Sequence, residues 1–122
     1  MENLDLACAR CGRELAGQGD ERLLTRALSV LEAQGVYAFF LFLEQQQKGR
    51  ERSHPVADAC VQFLQSHPHS AGLINMDQDN LLVRVSRMAE DLEDLLLAHQ
   101  LLRQALVYAR HHAKLNDTES KP

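Results

Sequence analysis

Eight consecutive residues, Val36-Tyr37-Ala38-Phe39-Phe40-Leu41-Phe42-Leu43, form an unbroken apolar run that holds four of the six aromatic side chains in the chain. A segment apolar on every side must be surrounded by protein or by lipid. Eight residues fall far short of the ~20 that a bilayer-crossing helix needs. The run is therefore expected to be the buried centre of one domain, with the other segments wrapped around it. Periodicity alone does not separate a buried helix from a buried strand. The tail Glu44-Gln45-Gln46-Gln47-Lys48 continues in helix-forming residues, and no second strand-like segment offers a partner, so a helix from Val36 to about Lys48 is expected.

The rest of the chain is helix-forming as well. Leu, Ala, Gln, Glu and Arg dominate, and only three prolines and six glycines interrupt 122 residues. Leu4, Cys8, Cys11 and Leu15 share one helical stripe over residues 3–16, ended by Gly17-Gln18-Gly19 with a glycine as left-handed cap. Asp20 caps a helix to about Gln34 whose stripe is Leu23, Ala27, Val30 and Leu31, widened by Leu24 and Leu28. Gly35 stops it. Ser53 with Pro55 starts a helix to about Ser66, with Val56, Ala59, Cys60, Phe63 and Leu64 on its apolar face. His67 to Gly72 is the clearest break, and Leu73-Ile74 reads as a loop anchor. Asp77 or Asp79 caps a helix carrying Leu81, Leu82, Val85, Met88 and Ala89. A long helix covers about Leu92 to Leu115, set off by a kink or short turn near Asp91, where acidic residues suit a helix start. The expectation is an all-α, compact single-domain bundle of five to six helices over residues 1–115, with 116–122 as a flexible tail.

Function classes narrow less sharply. The net charge of −4 argues against a chain that binds nucleic acid by itself. No secretory signal is visible, and the odd count of three cysteines points to reduced thiols and a cytoplasmic setting. Cys8-Ala9-Arg10-Cys11-Gly12 has the spacing of a zinc knuckle, but a structural zinc site needs four ligands and no second pair exists. Cys8 and Cys11 are thus weak metal candidates, expected to line a helix face, and no cofactor is expected. Cys60 lies between apolar neighbours and reads as an inert core thiol. His111 and His112 are adjacent and point about 100° apart on a helix, so they do not grip one ion together. No acid–base pair or activated nucleophile can be assembled from spacing, and no catalytic residue is expected.

The basic residues are more suggestive. Lys48, Arg50 and Arg52 crowd one loop beside His54. Arg103, Arg110 and Lys114 lie on one stripe roughly 16 Å long at ~1.5 Å per residue. Such a stripe suits phosphates, which give affinity without sequence specificity. All six are candidates for contact with an RNA backbone. A solubilising helix face is the simpler alternative for the stripe.

Two segments carry a family resemblance. Leu31-Glu32-Ala33-Gln34-Gly35-Val36-Tyr37-Ala38-Phe39-Phe40-Leu41-Phe42 resembles the helix–Gly–helix step of the small helical subunit of type III-B CRISPR effector complexes, the fifth subunit of the Cmr-type complex. Leu97, Leu101, Ala105, Leu106, Tyr108, Ala109, Arg110 and Ala113 are similar to that family's closing helix, although Val107-Tyr108-Ala109-Arg110-His111 stands where the family has a Trp and a Lys-Arg pair. The resemblance implies a non-catalytic subunit. Its partners would be other effector-complex subunits, copies of itself and the guide and target RNA, with no membrane. The competing expectations are a small helical protein-interaction adaptor or regulator, and a zinc module built on Cys8 and Cys11.

Overall fold

A computed structural model of the chain describes residues 3–46, 54–67 and 80–120, with side chains up to Leu115. Among the described residues the chain forms six helices and no strand: α1 (Leu4–Ala16), α2 (Glu21–Gln34), α3 (Val36–Gln45), α4 (Pro55–Ser66), α5 (Leu81–Ala89) and α6 (Leu92–Ser120). The all-α bundle is thus as expected. No helix among these residues is long and apolar enough to cross a membrane.

Side-chain caps start the described helices other than α3, which follows Gly35 without one. Asn3 Oδ1 accepts from Leu6 N at 3.0 Å, and Asp20 Oδ1 accepts from Leu23 N at 2.8 Å. His54, not Ser53, caps α4: its Nδ1 accepts from Val56 N at 3.1 Å, with Pro55 in the first turn. Asn80, not Asp77 or Asp79, caps α5, its Oδ1 accepting from Leu82 N at 2.8 Å. Ser53, Asp77 and Asp79 lie outside the described residues, as do Pro68–Gly72 and the Leu73-Ile74 pair. The expected short turn between the last helices is present at Glu90-Asp91, and Asp91 Oδ1 accepts from Asp94 N at 3.2 Å. α6 then runs past Leu115 as far as Ser120.

The glycine stops differ from one another. Gly17 ends α1 with a right-handed φ of −84°, so the left-handed cap expected there does not form. Gly35 alone among the described residues has positive φ, at 99° with ψ −176°, a region only glycine occupies easily. That residue lets α3 begin directly after α2.

The centre of the bundle is α6. Ala98, Leu102, Ala105, Leu106 and Ala109 are fully buried along it. α1, α2 and α5 pack on α6, while α3 packs on α2, α4 and α5. The buried line of α2 is Leu24, Ala27, Leu28 and Leu31, with Leu23 and Val30 only half-buried, so the stripe is rotated from the one expected. The apolar octet is corrected more substantially. Val36, Phe39, Phe40 and Leu43 are buried, but Tyr37 and Leu41 on the opposite side are 43% and 38% exposed. A short helix at the edge of a bundle has neighbours on one side only. The outer ring of Phe42 is half-buried and receives the Arg26 guanidinium 5.3 Å from its centroid.

Candidate functional site: the α2–α6 seam and the cysteine face

α2 and α6 run antiparallel, and three contacts set their register. His99 Nε2 donates to Leu31 O at 3.1 Å, Arg103 Nε lies 3.6 Å from Glu32 Oε1, and Lys114 Nζ lies 3.8 Å from Glu21 Oε1. His99 and Arg103 lie beside the C-terminal end of α2, and Lys114 beside its N-terminal end. The basic stripe therefore exists as a line, but it lies beside a matching acidic line. Exposed ion pairs of this kind contribute ~0–1 kcal/mol and exchange readily. They hold the Arg103 and Lys114 heads along the seam without sequestering them from a phosphate. Arg110 is different. It is half-buried, and its Nε is sealed from solvent with no hydrogen-bond partner. Lys48, Arg50 and Arg52 lie outside the described residues.

Glu21, Glu32 and His99 were not singled out from sequence, although a signal was there. Glu21 and Glu32 are spaced like Arg103 and Lys114, eleven residues apart in each case. Eleven residues make three helical turns, so each pair falls on one line.

The cysteine face of α1 packs on α6. Cys8, Cys11, Gly12 and Leu15 are the buried residues of α1, and Cys8 Sγ donates to Leu101 O of α6 at 3.6 Å. Gly12 is the point of closest approach. A Cβ built on it would lie 2.6 Å from both Ala105 O and Tyr108 Cβ, and 2.8 Å from Ala109 N. No side chain fits at that distance from backbone, so glycine is what allows the two helices to touch. Tyr108, half-buried on α6, closes the same interface by donating its hydroxyl to Asp5 Oδ1 at 2.8 Å. That bond raises the Tyr108 pKa.

Burial first, and the Asp5 carboxylate second, push the Cys8 thiol up to about 11. Burial and the neighbouring Glu14 push Cys11 up to about 12. Cys60, fully buried on α4, is raised well above the ordinary thiol range by burial. These are protonated packing groups, and a low-pKa thiolate is what a reactive cysteine requires. Among the described residues no three His, Cys, Asp or Glu side chains converge as metal ligands.

One further polar group gathers at the start of α4. Burial lowers the His54 pKa, against the opposing charges of Asp58 and Glu44, and burial raises Asp58. The Nδ1 of His54 is taken by the Val56 amide, so the ring serves as a cap. His111 is exposed and His112 half-buried near the end of α6. No family model, curated protein or solved structure matches the chain.

Proposed function

We propose that this chain is a non-catalytic helical subunit of a type III CRISPR effector complex, standing beside other subunits and copies of itself and steadying guide and target RNA through backbone contacts. The observation that carries the reading is the meeting of the two segments that bear the resemblance. Gly35 N and His99 Nε2 both donate to Leu31 O, at 3.0 and 3.1 Å, so the helix–Gly–helix step is fastened to the closing helix. The basic line of Arg103, Arg110 and Lys114 starts one turn beyond that junction and runs toward the α6 C-terminus.

The electrostatics imply division of labour. Glu21 and Glu32 offset most of the stripe, so the isolated protein would hold RNA loosely, as a subunit sharing a long duplex can afford to do. Three phosphate contacts on a single strand give a slope of log affinity against log salt of roughly −2. Anisotropy of a labelled single-stranded RNA tests this with two sets of variants. Glu21→Gln/Glu32→Gln should tighten binding, and Arg103→Glu/Lys114→Glu should remove it. Binding that is indifferent to salt and to both pairs of substitutions removes the RNA role. A helical protein-interaction adaptor is the second reading. It is favoured by leucines left uncovered on α6, with Leu92 66% and Leu96 60% exposed.

A further inference from the structure

The helix caps differ in chemistry. Amide or carboxylate oxygens cap α1, α2, α5 and α6, from Asn3, Asp20, Asn80 and Asp91. Among the described helices only α4 is capped by a ring nitrogen, His54 Nδ1. That acceptor is the atom that takes up a proton when the ring becomes cationic, and histidine does so near neutral pH. An imidazolium has donors at both nitrogens and no lone pair, so it cannot accept from Val56 N. Pro55 brings no N–H to the first turn, and Asp58 N is satisfied by His54 O at 3.0 Å. Val56 and Ala57 are therefore the amides at the start of α4 that need a partner other than a helix carbonyl. The positive end of the helix also repels a cation seated on it.

A second partner for the ring is within electrostatic reach. The described charges that act on His54 are Asp58, on α4 itself, and Glu44, near the end of α3. From α1, the other helix packed on α4, Glu14 acts on Cys60 rather than on His54. Lys48, Arg50, Glu51 and Arg52 lie outside the described residues. Glu44 Oε1 is sealed from solvent and has no hydrogen-bond partner. A buried carboxylate oxygen without a donor is costly, and an imidazolium N–H is a strong one. We propose that His54 is a pH-operated link between α3 and α4: neutral, it caps α4 through Nδ1, and protonated, it leaves the Val56 amide and donates to the Glu44 carboxylate. Burial opposes the cation and holds the His54 pKa below its ordinary value near 6.5, against the pull of Asp58 and Glu44. The capped form is thus complete above about pH 6.5 and gives way as pH falls through the lowered value. The device stands under either reading of the function.

The test follows the whole chain, isotope-labelled, by NMR from about pH 8 to about pH 5, the span over which histidine titrates. The Val56 amide proton should move upfield as its acceptor is lost, with the same midpoint as the His54 ring protons. Its protection against solvent exchange, corrected for the intrinsic rate, should fall about fivefold, as loss of a typical side-chain cap implies. His54→Asn keeps an acceptor at the cap and removes the titration, so its Val56 amide should stay in place across the range. Glu44→Gln removes the receiving charge, so the His54 midpoint should move further down. A Val56 amide that stays still while the His54 ring titrates would overturn the proposal. So would a Val56 shift that persists in His54→Asn, or a His54 midpoint that Glu44→Gln leaves unchanged.

Discussion

α3 and α1 make opposite impressions in the sequence and exchange roles in the structure. α3 is aromatic and apolar throughout, yet a whole side of it faces water through Tyr37 and Leu41. α1 contains Arg, Glu, Asp, two cysteines and a glycine, yet at Gly12 it approaches α6 so closely that even a methyl group would meet backbone. Apolar content measures how much surface a segment would gain by hiding. How near two backbones can come depends instead on what is small at the point of crossing. Cys8, Cys11 and Gly12 are small, and Gly12 meets the backbone of Ala105 and Ala109. The result is a tight seam built from residues whose spacing suggested chemistry.

The contrast can be broken by mutation. Phe39 is completely buried, and Phe39→Ala should destabilise the fold by ~3–5 kcal/mol in guanidinium denaturation. The same measurement on Leu41→Gln, on the outer side of that helix, should move stability by less than ~0.5 kcal/mol. If the two substitutions proved equally damaging, α3 would be buried all round, as its composition suggests.

Gly12→Ala should be the next largest effect. Helix propensity alone favours alanine by about 1 kcal/mol. The 2.6 Å approach of the new Cβ to Ala105 O and Tyr108 Cβ opposes it, and overpacking of this kind destabilises by ~1–3 kcal/mol. A net loss of up to ~2 kcal/mol is expected, and a clear gain would mean that α1 stands off from α6. Gly35→Ala has open space around it, so its expected loss of ~1–2 kcal/mol arises from backbone conformation alone.

A further prediction concerns pH dependence. The thiols of Cys8, Cys11 and Cys60 are raised in the folded state, while the unfolded chain releases their protons near pH 8.5. Above that pH the unfolded state holds fewer protons than the folded one, so stability falls as pH rises toward 11–12. Below it these groups have no influence. The denaturation midpoint should therefore drop between pH 8 and 10, and Cys8→Ala should reduce the drop. A midpoint that rose over that interval would reverse the assignment of buried, protonated thiols.

Much of this architecture was legible because caps and periodicity are local. Asp20, Gly35, Pro55 and the acidic turn at Glu90-Asp91 mark helix boundaries through interactions within a few residues. What escaped was long-range. The octet could not reveal that its neighbours would occupy one side only. Gly12 reads as a chance companion of two cysteines until Ala105 is placed against it, 93 residues away in sequence. The basic stripe was visible, but its acidic counterpart became meaningful only with the antiparallel register fixed by His99 and Leu31.

The most direct test is a nuclear Overhauser measurement at Gly12. Cross-peaks from its α-protons to the Tyr108 β-protons and the Ala109 amide proton should be among the strongest long-range signals in the spectrum, because a Cβ built at Gly12 would lie 2.6 Å from Tyr108 Cβ and 2.8 Å from Ala109 N. If they are missing while α1 and α6 are both helical, the cysteine face is not seated on α6. The seam described here, with everything arranged around it, would then be wrong.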